Sequence, residues 1–257
     1  MSTTRSGSPK APATDPRWRA AALLLCAHGV RGEAGVARAH ARAIAALDVF
    51  AQVEACCLYG RPRLEDALRR VAARRAYLVP LLMAEGRTND GLRERTLAAG
   101  AFRSRPVKLC RPLGSHPALA GLIATAAQRT CQARGWRRSD TGLLLIGHGT
   151  PRHARSGRSL RRHAAGIAET RAFAEVRCAF LDDAPSVPEA LRARTAARTV
   201  AVGFFADAGP HGADDVEALL AGHAQDVAYA GPIGCDPGVV DLILDQVRQA
   251  EASALVA

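Results

Sequence analysis

The chain repeats itself, and this constrains its fold more than any other feature. His148, in LLLIGHGT (143–150), stands 120 positions after His28, in LLLCAHGV (23–30). LEDALRRVAARRAYLVPLLMAEG (64–86) matches VPEALRARTAARTVAVGFFADAG (187–209) at an offset of 123, and RPLGSHP (111–117) matches GPIGCDP (231–237) at an offset of 120. The anchors keep their order, and one three-residue insertion with a compensating deletion accounts for the change of offset. The sequence therefore reads as two copies of one unit.

Both copies alternate strand-like and helix-like stretches. Apolar runs at Ala21–Cys26 and Gly142–Ile146 lead into the His-Gly turns. Helical stretches follow at 35–48 and 156–171, then strands at Val53–Leu58 and Val176–Leu181. Helices at 64–74 and 187–197 lead to strands at Ala76–Leu82 and Thr199–Phe205. A helix from Asn89 or Ala213, a short strand at Val107–Leu109 or Asp226–Tyr229, and a last helix at 117–133 or 237–251 complete each copy. Such alternation predicts an α/β chain of two tandem similar lobes. Each is a four-stranded parallel sheet flanked by helices, with a cleft between the lobes. The expected organisation is a disordered Ser-, Thr-, Pro- and Ala-rich tail over 1–17, an N-terminal lobe over 18–135 and a C-terminal lobe over 141–257. The stretch RGWRRSDT (134–141) joins the lobes.

Composition narrows the partners. With 48% hydrophobic and 23% charged residues among 257, a wholly disordered chain is excluded. Aromatics at 4% argue against a single-strand nucleic-acid binder built on stacking. The net charge of +11 would attract a polyanion, but no zinc-finger or RNA-binding signature accompanies it, so a nucleic-acid partner is not expected. The seven cysteines form no CxxC pair and several sit in apolar runs, as reduced thiols of a cytoplasmic protein do. Ala20–Ala27 is too short an apolar run to span a membrane, and no signal peptide or membrane partner is expected.

In parallel sheets, ligands bind beyond the carboxyl ends of the strands. His28 and His148 follow strand one of their copies, Asp182 and Asp183 follow strand two of the second, and the 86–88 and 209–211 loops follow strand three. A single histidine there is commonly a structural hydrogen-bonding group. Two at equivalent edges with a carboxylate suit a divalent metal such as cobalt, iron, nickel or zinc. No cysteine lies in these loops, which argues against a tight structural zinc site. Neutral imidazole also accepts protons near neutral pH. The first copy has Thr88 where the second has His211, and Tyr59 where it has Asp182. One complete set, in the second lobe, therefore faces a degenerate first lobe that forms the opposite wall.

LLLIGHGT (143–150), FLDDAPSVPEAL (180–191), VGFFADAGPHGADDV (202–216) and GPIGCDP (231–237) together resemble the class II tetrapyrrole chelatases, in particular the sirohydrochlorin cobaltochelatases and ferrochelatases. The resemblance runs over about residues 20–251. It implies two α/β lobes with a cleft between them, and ATP-independent insertion of a divalent metal into a tetrapyrrole, a lyase-type chelatase reaction. By it, His148 and His211 bind the metal and help remove the pyrrole protons. Asp182 takes the place of an acid that is more often glutamate. The metal, Co²⁺ before Fe²⁺, is a substrate, and no organic cofactor is implied. Sirohydrochlorin carries eight carboxylates, so Arg31, Arg87, Arg152 and Arg155 in the strand-end loops, with His28, are the expected substrate-binding residues. A monomer holds both walls of the cleft, with a dimer left open.

Two other readings compete. A chelatase-derived protein could bind metal or tetrapyrrole without turnover. A histidine phosphatase would place Arg before the histidine, and here Ala27 and Gly147 stand there.

Overall fold

The computed structural model describes residues 16–98, 106–150 and 157–253. The expected tail lies outside the described residues up to position 15. The first half runs β1 (Ala21–Ala27), α1 (Gly35–Ala45), β2 (Gln52–Cys57), α2 (Leu64–Arg70), β3 (Arg75–Pro80), α3 (Arg87–Ala98), β4 (Val107–Leu109), α4 (Leu119–Ala133). The second runs β5 (Thr141–Gly147), α5 (Arg158–Glu169), β6 (Glu175–Phe180), α6 (Val187–Arg192), β7 (Arg198–Gly203), α7 (Asp214–Leu220), β8 (Val227–Pro232), α8 (Val239–Ser253). The sheets have the orders β2-β1-β3-β4 and β6-β5-β7-β8, and every pair is parallel. In both, the chain moves one way from the first strand to the second and crosses back to place the third on the other side. The crevice of a parallel sheet opens at that reversal, beyond the carboxyl ends of β1 and β3 or β5 and β7.

The central strands are apolar over most of their length because both faces are covered. Successive side chains point to opposite faces. Thus Leu23 and Leu25 enter the core shared by both lobes, while Ala22, Leu24 and Cys26 enter an outer core beneath α2 and α3. In the second lobe Leu143 and Leu145 face the shared core and Leu144 and Ile146 face the outer one. All seven cysteines are unpaired; Cys178 and Cys235 are half-buried and the other five buried. Among the described residues, no helix is long and apolar enough to cross a membrane.

The last helix of each half covers the sheet of the other. Helix α4 packs on β7 and β8, and α8 packs on β3. The apolar stripe of α4, Leu119, Ile123 and Ala127, joins Val200 and Val202 of the second sheet in one core. Two buried histidines cross the seam in matching positions. His40 of α1 donates through Nε2 to the Gly234 carbonyl (2.8 Å), and His163 of α5 to that of Gly114 (2.9 Å). These pairs are related by the sequence repeat, so the lobes sit about a local twofold axis.

Helices α2 and α6 end four and five residues earlier than their patterns predict. The cause is the same in both copies. The Gln52 side chain accepts from the Ala72 amide (3.1 Å), and Glu175 accepts from the Thr195 and Ala196 amides (2.8 and 2.9 Å). Side chains of the edge strands thus take the amides that a further helical turn would need.

Candidate functional site

The β5 strand ends at Gly147, and the chain turns so sharply at Gly149 that its φ is +71°. A Cβ there would lie 2.6 Å from the Asp183 Cβ, so only glycine fits. The turn leaves His148 half-exposed at the strand end. The loop after β7 brings His211 beside it, with ring centroids 4.7 Å apart and planes at 61°.

Each imidazole has a carboxylate behind it. His148 Nδ1 lies 3.1 Å from Asp182 Oδ2 and 3.1 Å from the Gly149 carbonyl. His211 Nδ1 lies 2.7 Å from Asp215 Oδ2. With acceptors facing both Nδ1 atoms, the proton of each neutral ring belongs on Nδ1, and Nε2 keeps the lone pair. The pair can therefore hold a metal loosely or accept protons. Among the described residues, no group of three or more His, Cys, Asp or Glu is assembled to hold a metal ion.

Both histidines line a cavity of about 320 Å³ at the lobe seam. Val30, Val36 and His28 of the first lobe form one wall, and Phe205, Asp207 and the 209–212 loop the other. The His28 ring packs against Tyr59, tilted at 52° with centroids 4.9 Å apart. Below the His211 loop, burial and the Asp207 charge push the Cys235 thiol up to about 11, so it stays protonated at neutral pH.

The structure thus gathers His148, His211, Asp182 and His28. Arg31 is exposed at the seam, and its guanidinium reaches Asp214 of the second lobe (3.4 Å). Arg87 opens α3, but its side chain lies outside the described residues, as do Arg152 and Arg155 entirely. Asp183 accepts from the next amide, Ala184 N–H (2.8 Å), rather than from a histidine. Sequence reasoning missed Asp215 and Asp207. The first was available as an H-x-x-x-D spacing in HGADD (211–215), one helical turn. The second had no local signal, because its partner lies in the other lobe.

The chain is similar to several known proteins over most of its length. A family model described as CbiX matches the chain twice, over residues 22–130 and 142–250. A probable sirohydrochlorin cobaltochelatase of Halobacterium salinarum is 25% identical, over 90% of this chain and 92% of its own. A solved CbiX structure, described as the terminal enzyme for sirohaem biosynthesis in denitrifying bacteria, superposes with a TM-score of 0.74. It is 29% identical, over 89% of this chain and 98% of its own. The multi-domain protein DR2241 of Deinococcus radiodurans, described as structurally similar to chelatases, also gives 0.74 at 26% identity. This chain covers 54% of that longer protein, and 88% of itself is matched.

Proposed function

Since this chain belongs to the CbiX family, we propose that it inserts a divalent metal into sirohydrochlorin, Co²⁺ before Fe²⁺, through His148 and His211. The observation that carries the reading is the pair of rings 4.7 Å apart, each with Nδ1 on a carboxylate and both on the wall of the seam cavity. The name of the Halobacterium salinarum relative favours cobalt. The only lysines, Lys10 and Lys108, do not follow glycine, so the Gly-Lys pair of a nucleotide phosphate loop is missing, in keeping with an ATP-independent reaction. The unpaired thiols fit a reducing, cytoplasmic setting.

The chemistry follows from the donor set. An incoming hexahydrated ion exchanges water for the two Nε2 atoms, which bind without locking it into a closed tetrahedral cage. Four ring nitrogens of the tetrapyrrole then replace the imidazoles. Two of them lose protons as the metal enters, so one divalent ion goes in and two protons come out. The vacated Nε2 atoms accept these protons, and Asp182 and Asp215 stabilise the imidazolium forms before the protons pass to water. His28, backed by Tyr59, belongs to the opposing wall, while Arg31, Arg87, Arg152 and Arg155 attract the carboxylates of the substrate. Both walls belong to one chain, so a monomer suffices.

Anaerobic absorbance of sirohydrochlorin with Co²⁺ or Fe²⁺ tests this. We expect the protein to accelerate insertion, His148→Ala and His211→Ala to lose the acceleration by about 10²-fold or more, and His28→Ala to keep most of it. No acceleration with either ion would refute insertion. Tight metal or tetrapyrrole binding without turnover would instead identify a carrier.

A further inference from the structure

The loop that carries His211 is tied to the opposite lobe by the Asp207 side chain. Asp207 Oδ2 accepts from the backbone N–H of Val36 in the first turn of α1 (2.8 Å), and Oδ1 accepts from the Ala208 amide of its own loop (2.8 Å). Both carboxylate oxygens are engaged by amides, one from each lobe. The first turn of a helix has amides without helical partners and a positive electrostatic end, which favours a carboxylate. Helix α1 has no side-chain cap from its own sequence, because Ala34 stands at the cap position. Asp207, 171 residues away, supplies it.

The surroundings are shaped for this contact. Gly35 has φ +43°, and a Cβ on it would lie 1.9 Å from Asp207 Oδ2. Gly209 in the same loop has room for no side chain either, since its Cβ would come 2.8 Å from Val30 in the His28 loop. On its far side the loop is held by the Tyr229 hydroxyl, which donates to the Gly212 carbonyl (2.5 Å). The repeat makes the asymmetry plain. The first-lobe counterpart of Asp207 is Ala84, which has no side-chain acceptor, and that lobe carries Thr88, in the first turn of α3, in place of His211. The loop with the imidazole is the loop with the tie.

We infer that Asp207 is a positioning residue, which fixes the His211 loop against the opposite lobe and so sets His211 beside His148 on one wall of the seam cavity. Its contribution to metal insertion rests on the chelatase reading above; its contribution to the geometry does not. Without the tie, the His211 loop keeps its β7 root and the Tyr229 bond but loses its register against the first lobe. Two donors then no longer present their lone pairs to one ion, and insertion slows although each residue remains.

Asp207→Ala and Asp207→Asn decide this by three readouts on the full chain: amide exchange at Val36, titration with Co²⁺ alone followed by its visible absorption, and kcat and KM for sirohydrochlorin. In Asp207→Ala we expect Val36 exchange at least about tenfold faster, Co²⁺ affinity down about tenfold, and kcat down about 10- to 100-fold with KM changed far less. Asp207→Asn keeps one acceptor and should restore most of the Val36 protection, Co²⁺ affinity and kcat together. Parent-like Co²⁺ affinity and Val36 exchange in Asp207→Ala would overturn the inference. So would an Asn variant with intact Val36 protection and the full loss of Co²⁺ affinity, since the charge would then be acting on the ion directly. If the parent inserts no metal, the chelatase reading falls, while exchange and Co²⁺ titration still decide the tie.

Discussion

Glu251→Leu probes whether the two halves unfold as one. Glu251 belongs to α8, the last helix of the second half, yet its partners are in the first. Oε1 accepts from the Tyr77 hydroxyl (2.6 Å) and from Lys108 Nζ (2.7 Å), and Arg17 lies 3.1 Å from Oε2. Burial raises this carboxyl, but the hydrogen bonds from Lys108 and Tyr77 and the charges of Lys108 and Arg17 outweigh it, leaving it below the usual range. Burial and the bond to Glu251 push the Tyr77 hydroxyl up to about 12. Removing one partner of a buried ion pair costs about 3–5 kcal/mol. Lys108 and Arg17 keep 31% and 47% of their side-chain exposure, so they recover hydration and the loss falls near the low end, about 3 kcal/mol. For a chain of this length that is a fall in Tm of roughly 6–12 °C. Calorimetry at pH 7 should show a single transition moved as a whole, with the calorimetric and van't Hoff enthalpies equal.

The sign of the pH dependence follows from the depressed folded-state value. The stabilisation is complete above the ordinary carboxyl value of 4.5 and is lost as pH falls through the lower folded value, so parent and variant converge on acidification. A variant within about 0.5 kcal/mol of the parent at pH 7, or one of two separate transitions moving alone, would refute the reasoning.

Asp215→Ala should lower Co²⁺ affinity about 10- to 100-fold while leaving His211 in place, because the imidazole loses the acceptor that fixes its Nδ1 proton; calorimetric titration with Co²⁺ reads this directly. His163 is held below its ordinary 6.5, first by burial, with the charges of Arg162 and His116 adding to it against the Gly114 bond. The unfolded chain therefore takes up this proton first, and stability falls as pH drops from about 6.5 toward the folded value. Urea midpoints between pH 7.5 and 5.5 should show a slope that is shallower in His163→Gln, and equal slopes would contradict the assignment.

Much of the fold was legible in the sequence because each strand carries its own signal. AALLLCA and TGLLLIG are apolar enough to be buried on both faces, and the repeat predicts that what holds for one half holds for the other. His148, His211 and Asp182 were legible because strand ends in a parallel sheet converge on one edge. The helix exchange was not, since α4 and α8 have ordinary amphipathic patterns that name no partner. The early ends of α2 and α6 depend on Gln52 and Glu175, side chains from other elements. Asp207 was invisible for the same reason: its meaning lies in Val36.

The exchanged last helices bear on why the two walls of the cleft differ. A half-length chain would leave Leu119, Ile123 and Ala127 uncovered until a second copy arrived, so its assembly would depend on concentration, and its two walls would be identical by construction. Joining the copies covalently makes closure intramolecular and lifts that identity. One wall keeps His148, Asp182 and His211, while the other is free to present Tyr59 and Thr88 at the matching places. A symmetric pair must repeat the same side chains on both faces; a continuous chain need not, and this sequence has used that freedom.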